Sequence, residues 1–250
     1  MFLCLLGLAS VVYEDCRKVN DRSDSQIQEV LQCDSHASFM CDDHDQFMCP
    51  HGERGNDILR LMNEHHRPLA EWMISKLPQI GPDRILDIGC GGGMLISILG
   101  KEFPESEIEG IDISEESIRI SSETNKDLIY GGRCRLAVAS VEDLPYGDRT
   151  FDLVTAVETY FFWPDLDHDI SEAVRVLSDG GCLVIAAESY PDPEFDDVNS
   201  RYKEMYGVNL VGNDVLSSLL RSHGLSVETF TVKQNNWVAF VCRRIISDCS

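Results

Sequence analysis

Apolar residues along this chain follow two rhythms, and the alternation between them predicts an α/β fold. Short, near-continuous apolar runs at 85–88, 108–113, 135–139, 153–157, 182–187, 225–232 and 237–242 read as buried strands. Between them, 94–100, the stretch after Ser114, 166–177 and 213–222 carry apolar residues at helical spacing. Ser114 with Ser117, followed by Glu115 and Glu116, supplies a helix cap and a favourable first turn. Upstream, Ile58, Leu59, Met62, Leu69, Trp72, Met73, Ile74 and Leu77 predict two helices that meet near Pro68. Strands that alternate with helices pair in parallel, but the 233–236 link is short enough for a hairpin, so the last strand should be antiparallel. The pair Gly180-Gly181 is read as the turn into the fifth strand. Residues 188–211 are too long for a plain connection and are expected to help cover a pocket. Residues 1–55 are expected to form a poorly ordered lead-in, because 14–55 are polar, acidic and without apolar periodicity.

The first strand ends in Ile85-Leu86-Asp87-Ile88-Gly89-Cys90-Gly91-Gly92-Gly93. Strand, glycine turn and helix make the start of a nucleotide-binding βαβ unit, in which glycines let the backbone turn sharply beside a ligand. A dinucleotide fingerprint read from Gly89 requires a small residue where Met94 stands, so that register fails. What fits is an acid followed by alternating glycines: Asp87, Gly89, Gly91 and Gly93. At the end of the second strand, Asp112 can accept hydrogen bonds from both hydroxyls of a ribose, with Ile113 against the adenine face. That carboxylate supports a nucleoside without choosing which. A second block follows the third strand: Ser140-Val141-Glu142-Asp143-Leu144-Pro145-Tyr146, then Thr150-Phe151-Asp152.

Over roughly residues 56–244 these motifs resemble the class I S-adenosylmethionine-dependent methyltransferases, of the small-molecule, type 11-like kind. The resemblance implies a Rossmann-like fold with a doubly wound, mostly parallel seven-stranded sheet, and S-adenosyl-L-methionine as cofactor. It implies one domain over 56–250, with helices at 56–80 as a lid. The glycine turn would pack on the methionine part of the cofactor, with Asp87 acting on its ammonium end. Ser140 and Val141 would sit at the adenine edge with Glu142 nearby, and Val157 would complete the cofactor set. Many relatives carry Asp where this chain has Ser140. His65, His66 and Trp72 become pocket candidates, although both histidines fit equally well as flanks of the break before Pro68. The fourth strand delivers Glu158, Tyr160, Phe161, Phe162 and Trp163 at its carboxyl end, where ligands of open α/β sheets bind. Tyr160 and Trp163 are expected to line the substrate side, Phe161 and Phe162 to join the core. Glu158 and His66 are the candidate catalytic groups, needed only where the acceptor is protonated at working pH.

Composition narrows the partners. With 43 acidic against 21 basic residues the formal net charge is −22, which disfavours nucleic acid, since neutralising phosphates requires clustered Lys and Arg. A small-molecule substrate is expected, with no nucleic-acid or membrane partner; oligomeric state is left open. Among ten cysteines, Cys90, Cys134 and Cys182 fall in or beside core strands without paired spacing and read as reduced thiols of a cytoplasmic protein. The apolar run at 2–13 is about half a bilayer span, and Met40 or Met48 are alternative initiators. Cys33, His36, Cys41, His44, Cys49 and His51 offer zinc-type donors, but their spacing matches no zinc module, so no metal is assigned. Two competing readings are a non-catalytic cofactor-binding module and an NAD-dependent oxidoreductase, against which Met94 and the Leu144-Pro145 block argue.

Overall fold

The computed structural model describes residues 46–245. The expectations for 1–45, among them the apolar run at 2–13 and the donors Cys33, His36, Cys41 and His44, lie outside the described residues. Two helices, α1 (Gly52–His65) and α2 (Arg67–Ile74), come first and break at His66, one residue before the turn that Pro68 can enter but not continue from. Then follow β1 (Arg84–Ile88), α3 (Met94–Glu102), β2 (Glu107–Asp112), α4 (Glu115–Thr124), α5 (Lys126–Tyr130) and β3 (Cys134–Val138). The second half runs β4 (Phe151–Val157), α6 (Leu166–Val176), β5 (Leu177–Ala187), α7 (Asp196–Tyr206), α8 (Asn213–Ser222), β6 (Leu225–Val232) and β7 (Trp237–Arg244).

The seven strands form one sheet in the order β3-β2-β1-β4-β5-β7-β6, parallel except for β7, which runs antiparallel to both neighbours. This is the Rossmann-like arrangement expected. Helices cover both faces, so the central strands are apolar on both sides. Ile85, Leu153, Val184 and Val241 enter a core with α2 and α3, whereas Leu86, Val154, Ile185 and Phe240 enter the opposite core with α6 and α8. The chain leaves β1 toward β2 and β3 but returns to place β4 on β1's other side. The order therefore reverses between β1 and β4, and a crevice opens outside their carboxyl ends.

Two local readings change. The glycine pair before the fifth strand is no turn: β5 already starts at Leu177, and Gly180 at φ 75° sits in an irregularity where the register shifts between the Phe151 and Leu153 pairings. A strand tolerates such an extra loop when glycine relieves the left-handed backbone. The lead-in also ends earlier than expected, because residues 46–55 are placed against the fold. Gln46 Oε1 accepts from the His51 N–H (2.9 Å), the Ser114 hydroxyl donates to the Pro50 carbonyl, and Phe47 stacks on Tyr206 with ring centroids 4.6 Å apart.

Candidate functional site

Within the β1–α3 turn, Gly89, Gly91 and Gly93 have φ of 71°, 50° and 81°, a region costly for any residue with a Cβ. The Gly89 and Cys90 N–H groups donate to the Ile111 carbonyl at 2.8 and 2.9 Å, and the Gly91 N–H donates to Asp112 Oδ2 at 2.9 Å, tying the turn to the end of β2. The glycines do different work. A Cβ on Gly89 would collide with Thr159, one on Gly92 with Asn63, and one on Gly93 with Ser121 and Asn125 of the α4 end. On Gly91 it would meet only Leu59, at 3.9 Å. Gly91 thus faces open room. Gly93, expected as a cofactor contact, is off the cavity wall and serves the close packing of turn on helix, with the Asn125 amide donating to its carbonyl at 2.8 Å.

The room in front of Gly91 is a cavity of about 340 Å³ at the β1–β4 crevice. Asp87, Gly89, Asp112, Ile113, Ser140, Val141, Glu142 and Val157 all line it. Asp112 is largely buried; its Oδ1 accepts from the Ser114 N–H and its Oδ2 from Gly91, both at 2.9 Å. Beside it Ile113 is 49% exposed, an apolar surface uncovered at the cavity edge. Ser140 donates to Glu142 Oε2 (2.9 Å), so a hydroxyl and a carboxylate stand together on this part of the cavity wall. Asp87 lies beneath the turn and accepts from the Thr155 hydroxyl at 2.8 Å. Burial pushes the Asp87 carboxyl up to about 7, opposed by the Thr155 hydrogen bond and reinforced by the Asp112 charge. Burial also raises Asp112, against the backbone N–H groups that stabilise its ionised form.

Across the cavity stand His66 and Glu158. Glu158 sits at the tip of β4 with φ 60°, an unusual backbone for a non-glycine residue and a common one at ligand sites. Its Oε1 accepts from the Glu188 N–H, and Glu188 Oε2 lies 3.1 Å from His65 Nε2. Burial, then repulsion from Glu188, holds the Glu158 carboxyl well above the usual range. Burial lowers His66 to about 4, so its imidazole is neutral near pH 7.

The expected substrate wall needs correction. Trp72 is not on the cavity: it packs on Trp237 (centroids 5.8 Å apart) with Lys76 over its ring, and α2 contributes no wall residue. Tyr160 is 2% exposed and packed edge-on against Phe161 in the core. Trp163 does line the cavity, joined by Phe162, which had been assigned to the core. The lid is α1 and the segment before it: Phe47, Met48, Pro50, Leu59, Met62 and Asn63. Only the Leu59–Met62 spacing hinted at these; Phe47, Met48 and Pro50 carry no periodic signal. Residues 188–211 brace the roof through Tyr206 against Phe47 rather than lining the cavity.

Comparison with known proteins agrees with this geometry. Residues 86–185 match the methyltransferase domain family. The chain is 31% identical over 156 residues to the O-methyltransferase cnsE of Penicillium expansum, covering 62% of this chain and 56% of that protein. It is 31% identical over 165 residues to the 27-O-demethylrifamycin SV methyltransferase of Amycolatopsis mediterranei, covering 64% and 60%. Thus the chain spans somewhat under two thirds of the length of the curated relatives it matches. The geranyl diphosphate C-methyltransferase of Streptomyces coelicolor A3(2), solved with Mg2+, geranyl diphosphate and S-adenosyl-L-homocysteine, superposes with a TM-score of 0.65 at 17% identity, over 81% of this chain and 88% of that one, and so shares the fold. The motif residues assembled at one crevice of that fold all fall in the matched segment, so residues 86–185 carry a domain of the methyltransferase family.

Proposed function

We propose that this chain binds S-adenosylmethionine in the β1–β4 cavity and transfers its methyl group to a small-molecule acceptor. The observation that carries this reading is the open face of Gly91 next to the Asp112 carboxylate and the uncovered Ile113. A ligand can approach the backbone at Gly91, and the neighbouring Asp112 carboxylate would accept from a ribose hydroxyl. Ile113, Val141 and Val157 would hold adenine, with Ser140 and Glu142 at its edge. Asp87 complements an ammonium group, whereas a pyrophosphate beside Asp87 and Asp112 would be repelled. Met94 also lines the cavity where a dinucleotide would need a small residue.

When bound, the cofactor supplies a methyl group already activated by the sulfonium charge, so the protein mainly aligns the reactants, a contribution of up to about 7–11 kcal/mol in well-oriented cases. The lid residues Phe47, Met48, Leu59 and Met62 exclude water, and Phe162 and Trp163 form the wall for the acceptor. Glu158 and His66 are the ionisable side chains on that wall away from the nucleoside side, placed to take a proton from a hydroxyl or carbon acid. The relatives' names include both O- and C-methylation, so no acceptor atom is assigned. The charge of −22 argues against a nucleic-acid or membrane-surface acceptor. Among the described residues no helix is long and apolar enough to cross a membrane, and a cytoplasmic location would match the supply of the methyl donor.

A screen of metabolite extracts with isotopically labelled methyl donor is expected to place the label in a small molecule. Cofactor binding without transfer to any fraction would leave a binding module instead; label in RNA or protein alone would overturn the small-molecule acceptor.

The Asp87 carboxyl at about 7 sets a pH dependence. Only its ionised form pairs with an ammonium group, so the dissociation constant is expected to be about tenfold weaker at pH 6 than at pH 8, and Asp87→Asn should flatten the profile. Without ligand the sign reverses. A carboxyl raised in the folded state contributes stability that is full below its unfolded value near 3.8 and is lost as pH rises through about 7. Calorimetric titration across this range, with thermal melts alongside, checks both.

A further inference from the structure

Behind the acceptor wall, His65, His66 and Glu188 converge, and the methyl-transfer reading uses only one of them. His65 and His66 are consecutive at the α1–α2 break, with their rings edge to face and centroids 5.4 Å apart. Glu188 follows β5, is 4% exposed, and brings Oε2 to 3.1 Å from His65 Nε2. One ligating atom of each residue lies within 4.8 Å of the other two. Glu158 adds a second carboxylate, held beside Glu188 by accepting its backbone N–H.

We propose that His65, His66 and Glu188 form a binding site for a first-row divalent cation of the zinc type, opening onto the cavity through His66. Two imidazoles and one carboxylate are a donor set such ions take with a position left open. Bonds of about 2.0–2.1 Å in a tetrahedral arrangement put donor atoms about 3.3 Å apart, a separation the His65–Glu188 pair already has and small side-chain rotations of His66 would complete. Charge supports the same assignment. Two neighbouring carboxylates in a water-poor place are costly, and a dication matches their combined charge. Resting on the methyltransferase reading, the open position would take an oxygen donor of the acceptor, a hydroxyl or carboxylate, and a hydroxyl held there would lose its proton more readily.

The test is titration of the full, chelator-stripped chain with Co2+, with Zn2+ as competitor. One Co2+ per chain is expected, with visible d–d bands of the intensity typical of a four-coordinate site and no thiolate-to-metal charge transfer. His65→Ala and Glu188→Gln should each weaken binding at least tenfold, while a Cys33→Ser/Cys41→Ser/Cys49→Ser variant leaves it unchanged. Near-UV circular dichroism identifies any variant that fails to fold, and the other ligand variant then decides. Lack of saturable binding, charge-transfer bands lost with the cysteines, or unaltered affinity in a folded ligand variant would overturn the site. S-adenosylmethionine affinity, measured separately on the same samples, should be unchanged in Glu188→Gln; its absence in the parent chain would count against the proposed function and leave the metal result standing.

Discussion

Replacing Asp112 with alanine is expected to weaken S-adenosylmethionine binding by about 1.5–3 kcal/mol, roughly 10- to 150-fold in dissociation constant, the range for charge-assisted hydrogen bonds. Two losses combine. The ribose hydroxyls lose their acceptor, and the glycine turn loses the bond from the Gly91 N–H that holds it in its binding conformation. Asp112→Asn keeps one carbonyl oxygen and the side-chain volume, so it should fall between parent and alanine. Isothermal titration calorimetry checks the series; unchanged affinity in Asp112→Ala would remove the ribose assignment.

Gly93→Ala is expected to destabilise the fold by about 2–5 kcal/mol, because a side chain at φ 81° costs about 1–2 kcal/mol and forcing a methyl group into packed space costs about 1–3 more. The space is occupied by the Ser121 backbone, with its Cα 2.9 Å from the added Cβ, and by the Asn125 amide. Gly91→Ala should behave differently: its added Cβ meets only Leu59 at 3.9 Å, so the fold loses little beyond backbone strain while cofactor affinity falls. Urea unfolding and ligand titration on the same two proteins separate the roles. Equal stability losses would show that Gly91 is a packing glycine as well.

How much of this was readable in the sequence depends on the distance over which each signal acts. The turn and its acids, Asp87 to Gly93 and Asp112, lie within two consecutive strands and the turn between them, where local chemistry and apolar periodicity decide the backbone, and Asp87, Gly89, Gly91 and Asp112 reach the cavity wall while Gly93 packs on α4. The hairpin at 233–236 forces β7 antiparallel for the same local reason. Aromatic residues misled, because helical spacing for Trp72 and a place beyond the fourth strand for Tyr160 do not say whether the ring turns to cavity or core. Trp72 is claimed by Trp237 and Tyr160 by Phe161, whereas Phe162, next in the chain, turns to the cavity. The roof at 46–50 was missed since its order comes from distant partners: Ser114 for Pro50 and Tyr206 for Phe47. The His65–Glu188 contact joins residues 123 positions apart, beyond the reach of any spacing argument.

On the reading proposed above, the crevice beyond β1 and β4 holds the methyl donor by its sugar and its amino-acid tail. A crystal structure with S-adenosylhomocysteine tests it most directly. Both ribose hydroxyls are expected on the Asp112 carboxylate, the amino-acid tail along Gly89 to Gly91, and adenine against Ile113. Ligand bound elsewhere, or the crevice empty at saturating concentration, would contradict it.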